Sequence, residues 1–327
     1  MSQSKLDNPA AKVSIIGPDK PWLAPLAGFS DLPFRLLCRE YGAAAACTEM
    51  VSAKGLLYQS PGTEAILATA EIDSPLVVQL FGSEEPVIAR AMEILLDRGF
   101  SWFDLNCGCP VKKVVKTGAG AALLRDEESR DNLVRIARRM AELAPGRTGV
   151  KLRLGWFKGE DHGLILGGEL ERAGAAWLTM HPRYARQGFS GQADWPRIRE
   201  MVERVSIPVM ASGDLFTAED GRACIEQSRA AGVMFARGAM SDPAVFMRFL
   251  GREPEGSERE AVWRIIRRHV DLSRIWRGDR SAFLKMRTFI PRYVRNFPGS
   301  RELRKEITWC RDWLELEKLL AGFLGRD

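Results

Sequence analysis

No apolar run in the chain approaches the ~18 residues that a membrane-spanning helix needs. No G-x-G-x-x-G follows the first predicted strand, which excludes a Rossmann nicotinamide domain. No spacing of His, Asp and Glu suggests a metal site. The cysteines (Cys38, Cys47, Cys107, Cys109, Cys224 and Cys310) are scattered and lack the paired spacing of zinc ligands. No signal peptide stands out, so the thiols are expected to be reduced and the protein cytoplasmic. Residues 1–12 are polar and read as a frayed tail within an N-terminal segment, 1–20.

What is present is enough for a substantial core. Of 327 residues, 46% are hydrophobic, and the length suits a large barrel with an appendage better than one ordinary domain. The net charge of +6 makes a polyanionic partner plausible. Short apolar segments at 21–28, 43–48, 76–81, 100–106, 149–153, 177–181, 208–214 and 233–238 read as strands. Helical patterns separate them at 86–98, 130–143, 164–173, 196–205 and 218–228, and Ser30-Asp31-Leu32-Pro33 opens an earlier helix. Residues 53–67 read as loop and short helix, and 118–122 as a flexible small-residue loop. Strict alternation means a parallel sheet, and eight such units match an α/β fold of the (β/α)8 TIM-barrel type over 21–251. A doubly wound open sheet is the structural runner-up. After a charged linker at 252–260, residues 261–327 read as a small all-helical C-terminal domain, with helical stretches at 283–297 and 302–323 parted by Pro298-Gly299.

Barrels of this kind carry their chemistry at the C-terminal ends of the strands. Here nearly every strand ends in something polar: Glu49, Gln79, Asn106 with Cys109, Lys151 with Arg153, His181 with Arg183, Ser212-Gly213-Asp214, and Ala236-Arg237-Gly238. In Asp104-Leu105-Asn106-Cys107-Gly108-Cys109-Pro110, a Gly and a Pro bracket Cys109 and turn the backbone sharply. An amide and a thiol on one turn suit a site that binds a planar ring and hands it a proton. A buried structural cysteine, or a Cys-X-Cys metal or disulfide pair, stays open as an alternative. A salt bridge to a neighbouring carboxylate is likewise the plain alternative for Lys151. Together the strand ends fit a phosphorylated planar cofactor. Gln79 can donate to and accept from the edge of an isoalloxazine ring, Lys151 can face its electron-rich end, and His181 with two glycine-bearing turns can hold a phosphate tail.

The chain resembles the tRNA-dihydrouridine synthases. The stretches that carry the resemblance run in order through the barrel: residues 23–35, Thr48-Glu49-Met50, Gln79-Leu80-Phe81-Gly82, 104–110, 118–124 and 151–156. They continue with His181-Pro182-Arg183, 191–195, 208–214 and 233–238. The opening segment and the Arg-rich tail are most similar to B-type bacterial members; the Asn-Cys-Gly-Cys-Pro form also occurs in the C-type. The resemblance implies an FMN-dependent oxidoreductase that reduces a D-loop uridine of tRNA. Hydride from reduced FMN goes to C6, Cys109 protonates C5, and NADPH or NADH restores the flavin. It implies flavin contacts at Pro25, Leu26, Ala27, Gln79, Lys151, His181, Ser212, Gly213, Asp214, Ala236 and Arg237, with Asn106, Arg153 and Arg183 near the uracil. Three departures stand out: Ser212 for the usual Asn, Ala236 for Gly and Pro182 for Gly. The first two touch the phosphate turns, and the third bears on Arg183.

The tail is expected to bind the tRNA. Lys285, Arg287, Arg292, Arg295, Arg301 and Arg304 are interleaved with Phe289, Tyr293 and Phe297, and Lys285, Phe289 and Arg292 share one helical face. Arg287 is a candidate substrate contact. A flavin barrel acting on a free pyrimidine is the alternative function, but it leaves the Arg-rich tail unexplained. The protein is expected to act as a monomer, without metal or membrane.

Overall fold

The computed structural model describes residues 15–325, so the predicted frayed tail, 1–12, lies outside the described residues. Eight parallel strands close into a barrel: β1 (Trp22–Leu23), β2 (Ala45–Cys47), β3 (Leu76–Phe81), β4 (Trp102–Cys107), β5 (Thr148–Gly155), β6 (Trp177–Tyr184), β7 (Val209–Ala211) and β8 (Gly232–Phe235). Pairing of β1 with β8 and of β2 with β3 closes the ring, which rules out the open doubly wound sheet. A two-residue strand, Val51–Ser52, adds to the far end of β3.

Side chains alternate across a strand, so every second residue points into the barrel. At the floor these are Trp22, Val77, Trp177, Met210 and Met234, packed with Trp102. The indoles of Trp22 and Trp177 meet edge-on at 5.6 Å, and Trp102 lies 6.0 Å from Trp177. Gly149 is needed there, because a Cβ would sit 2.1 Å from the Trp177 ring. Two residues further along β3 to β6 the interior turns polar: Gln79 and Asp104, then Asn106, Lys151 and Thr179, then Arg153 and His181. An apolar plug thus fills the floor and a polar layer forms the mouth.

The paired strands differ in length from the predicted apolar segments: β5 and β6 run past 149–153 and 177–181, while others are shorter. Of residues 21–28 only Trp22 and Leu23 pair, and of 208–214 only Val209 to Ala211; the remainder forms the turns of the mouth. Residues 53–67 hold two short helices, Ala53–Leu57 and Pro61–Ile66. The flexible loop expected at 118–122 is instead a buried 3-10 turn, Gly120–Leu124, whose small side chains pack into the core.

Four helices make up the tail: Glu258–Arg277, Asp279–Tyr293, Ser300–Trp309 and Trp313–Leu324. Ser257 and Glu260 cap the first reciprocally, and Gly278 ends it. The predicted stretch 302–323 breaks at Cys310, because Asp312 caps a new helix by accepting from the Glu315 N–H at 2.9 Å. The tail docks on helix Leu32–Glu40. Phe289 packs 4.9 Å from Phe34 and 5.4 Å from Phe29, and the His269 ring lies 4.5 Å from Phe289. Asp31, the cap of helix Leu32–Glu40, accepts from Arg277 at 2.6 and 2.9 Å. Lys285 donates to the Gly28 carbonyl beside it. The helical face predicted to meet RNA, Lys285, Phe289 and Arg292, therefore lies along the barrel, and Arg292 covers the Phe29 ring at 4.5 Å.

Candidate active site

One cavity opens at the C-terminal ends of the strands. It is lined by Pro25, Leu26, Ala27, Asn106, Cys109, Lys151, Arg153, His181, Ser212, Gly213, Asp214, Ala236 and Arg237. Thirteen of the residues singled out from sequence thus meet in one place. Gln79 and Arg183 sit behind its wall, fully buried, and Arg287 lies in a separate groove on the tail.

Cys109 is held by a chain of amides. The Asn106 side-chain oxygen accepts from the backbone N–H of Gly108 (3.2 Å) and Cys109 (3.0 Å), so its NH2 must point the other way. That NH2 donates to Gln79 Oε1 at 2.7 Å, and Gln79 Nε2 donates to Asp104 Oδ2 at 2.7 Å. Two N–H groups at the thiol loop thereby fix the orientation of both amides, and an acceptor at Asp104 completes the chain. Both ends of the Gln79 amide are engaged inside the protein. From the other side, the Ala121 N–H donates to the Cys109 carbonyl at 3.0 Å. Gly120 makes this approach possible: its φ is +63° and a Cβ would stand 2.7 Å from that carbonyl oxygen. The Cys109 thiol is half-buried, and burial raises its pKa above the ordinary thiol value, against smaller lowering effects from a Val111 backbone hydrogen bond and the charges of Arg153 and Lys151. Cys107 is fully buried in β4 and points to the barrel's outer face. Cys109 lies past the end of β4 and lines the cavity while Cys107 packs in the core outside the barrel, and both thiols are free, which removes the Cys-X-Cys pair as a reading.

Lys151 stands next to Asn106 across the β4–β5 ladder. Among the described residues no carboxylate lies within 4.0 Å of its Nζ and no hydrogen bond engages it, so the salt-bridge alternative does not hold. Burial lowers its pKa, and the Asp104 carboxylate pulls it back up; burial raises Asp104, one of whose oxygens has no partner. An ammonium facing a cavity without a partner fits an electron-rich ligand edge.

His181 is buried, and burial together with the charges of Lys151, Arg153, Arg183 and Arg237 pushes its pKa well down, so it is neutral. Arg183 Nη1 lies 3.1 Å from its Nε2. A guanidinium only donates, so Nε2 accepts and the proton is on Nδ1, which has no protein partner among the described residues. Arg183 also grips Asp214 through both carboxylate oxygens, at 2.9 and 2.5 Å, and the carbonyl of Gly191 at 2.7 Å. Asp214 further accepts from Arg237 at 2.7 Å and from the Ala193 N–H at 2.8 Å. Burial raises the Asp214 carboxyl, but these donors outweigh it and hold the group below the usual carboxylate range. Arg153 donates to the carbonyls of Gly108 (2.7 Å) and Gly188 (2.8 Å) and so ties the thiol loop to the loop after β6. Gly213 has φ +105°, and a Cβ there would fall 2.7 Å from the His181 ring.

The predicted list lacks Met50, Val111, Phe189 and Phe216, which also line the cavity. Phe189 and Phe216 are 57% and 44% exposed, and the Arg237 guanidinium lies between them, 4.9 and 4.8 Å from the rings. The signal for Phe189 was its setting in Gly188-Phe189-Ser190-Gly191, a bulky ring in a turn between glycines. Three cations and a neutral imidazole thus line a cavity in which Asp214 is paired away. Such a site draws an anion. A group with a phosphate tail and an electron-rich ring edge fits the free Lys151, the Nδ1–H of His181 and the open turns at Ser212-Gly213 and Ala236-Arg237.

The sequence profile of the family described as dihydrouridine synthase (Dus) matches residues 22–322. A probable tRNA-dihydrouridine synthase of Treponema pallidum (strain Nichols) is 32% identical over 89% of this chain and 87% of its own. The tRNA-dihydrouridine synthase B of Pseudomonas syringae pv. tomato is 30% identical over 86% of this chain and 84% of that protein. Among solved structures, the old yellow enzyme homologue from Zymomonas mobilis aligns with a TM-score of 0.54 at 15% identity, covering 73% of this chain and 90% of that one. At that identity the likeness is one of fold.

Proposed function

The chain belongs to the dihydrouridine synthase family, and from that premise we propose that it reduces the C5–C6 double bond of a D-loop uridine in tRNA. The reaction draws on FMN, on NADPH or NADH as reductant, and on a proton from Cys109. The observation that carries this reading is the pairing of a clamped, protonated thiol with a partnerless lysine on the wall of one cavity. FMN would be held by Lys151, His181 and the turns at Ser212-Gly213 and Ala236-Arg237, and when bound it supplies the hydride that goes to C6.

The protein's own residues do the rest. As negative charge builds on C5 and O4 of the uracil, the Cys109 S–H gives its proton to C5. A thiol pKa raised by burial keeps that proton in place across neutral pH. Asn106 holds the thiol loop at a fixed distance from the lysine wall. Arg153 and Arg183 act by holding the loops around the uracil: Arg153 binds carbonyls of the thiol loop and of the loop after β6, and Arg183 ties that second loop to Asp214. The target base sits inside folded RNA, so it must swing out of its stack to reach the mouth. On the tail, Arg287 faces the groove of the exposed Trp309 and would take a backbone phosphate.

The test is to incubate purified, flavin-loaded protein with NADPH and tRNA and to measure dihydrouridine by mass spectrometry. Product should form on intact tRNA and vanish when the tRNA is first digested with ribonuclease. Turnover of free uridine or uracil at the same rate would favour the small-molecule alternative.

A further inference from the structure

We propose that Lys112, Lys113 and Lys116 form a phosphate-gripping lip that seats the RNA backbone beside Cys109; this rests on the reading of tRNA as substrate. Helix Lys112–Val115 begins two residues after Pro110, and Val111, at the cavity's edge, joins it to the thiol loop. The Lys116 N–H bonds to the Lys112 carbonyl at 3.1 Å, which places these two side chains one turn apart on one face. All three lysines are exposed, and among the described residues none has a carboxylate within 4.0 Å or a side-chain hydrogen bond. Residues 111–118 contain no acid. Some exposed cations elsewhere do carry a carboxylate, as Lys54 does with Glu84 at 3.8 Å and Arg98 with Glu64 at 2.7 Å.

The lip is rigid with respect to the thiol. Ser83 Oγ donates to the Thr117 carbonyl at 2.7 Å, and Asn132 Nδ2 donates to the Ser83 carbonyl at 2.7 Å. At the other end the Ala121 N–H holds the Cys109 carbonyl at 3.0 Å. A phosphate caught on these lysines is therefore registered to the proton donor. Lysine is a compact charge with three donors and reads phosphate without reading sequence, which suits an enzyme that must fix a strand beside an extruded base.

The experiment uses the flavin-loaded full chain carrying Lys112→Ala, Lys113→Ala and Lys116→Ala together, and a second variant with all three changed to Arg. Flavin content and melting temperature report folding, and tRNA affinity is read across a salt series. The Ala variant should bind tRNA at least tenfold more weakly at low salt, with the salt slope smaller by about two to three. The Arg variant should restore both. An Ala variant that is folded and yellow, with unchanged affinity and slope, overturns the lip. So does a rise in the KM for NADPH with tRNA affinity intact, because the lysines would then serve the reductant. Wild-type protein that fails to bind tRNA removes the functional reading and the lip with it.

Discussion

Lys285 and Arg277 in the helical tail face inward, onto Gly28 and Asp31 of the barrel; Lys112, Lys113 and Lys116 at the mouth face solvent, with no acid beside them. Both regions are basic in sequence. In the tail two more cations are consumed at the seam: Arg268 binds Glu40, and Arg292 covers Phe29. At the mouth the cations lie around a cavity, or on its edge, and several lack a counter-charge. The difference teaches that a basic run marks a polyanion site only where the fold leaves its charges unpaired. A charge that already has a carboxylate has less to offer a phosphate, and its removal is felt as lost stability.

The mouth side of the contrast breaks hardest at Lys151. Lys151→Ala removes the partnerless cation and leaves Asp104 without its nearest positive charge. FMN affinity, read by flavin fluorescence, should fall about a hundredfold, as expected for a charged hydrogen bond. On the seam side, Asp31→Ala removes a helix cap and the acceptor of Arg277. It should cost about 2–3 kcal/mol by chemical denaturation with flavin binding kept.

Acid sharpens the same contrast. His269 is fully buried in the seam, its Nδ1 2.8 Å from the Tyr293 hydroxyl, and burial lowers its pKa to about 4. Unfolded, it titrates near 6.5. Between those values the unfolded chain binds the extra proton, so the native state is favoured in full above about pH 6.5 and loses ground as pH falls toward 4. From pH 7 to pH 5 this group should cost about 2 kcal/mol. Melts of wild type and His269→Gln at both pH values measure that share, which the variant should lack. The smallest effect belongs to Arg287, already donating to the Thr308 carbonyl. Arg287→Ala should lower the salt slope of tRNA binding by about one at most.

Much of the site was legible because barrel chemistry collects at strand ends and side chains alternate along strands. Asn106, Lys151, His181 and the turn at Ser212-Gly213 were readable as polar residues where packing wanted none. Their partners were not. Gln79 meets Asp104 and Asn106 only through the register of β3 on β4, a relation between segments far apart in sequence. The 3-10 turn at Gly120–Leu124 looked like a flexible loop because small residues serve equally for mobility and for close packing; its approach to the Cys109 carbonyl decides the matter. In the tail the shared face of Lys285, Phe289 and Arg292 was readable from helical spacing, but its direction was not. Phe289 is buried against Phe34 and carries its two cationic neighbours to the barrel with it. Phe189 carries only the weak signal of its glycine-flanked turn, and Phe216 looks like any surface aromatic until the fold brings both to one opening.

The account stands most directly on Cys109 as the proton donor. The decisive measurement is the rate of dihydrouridine formation in tRNA by Cys109→Ala, with the flavin loaded and reduced beforehand and the pH varied. The rate should fall about 10²- to 10⁴-fold at pH 7.5 while FMN content is unchanged. Wild type should hold a plateau through neutrality and decline only at alkaline pH, above the ordinary thiol value of about 8.5, because burial raises the thiol's pKa. A Cys109→Ala protein that makes dihydrouridine at the wild-type rate would contradict the account.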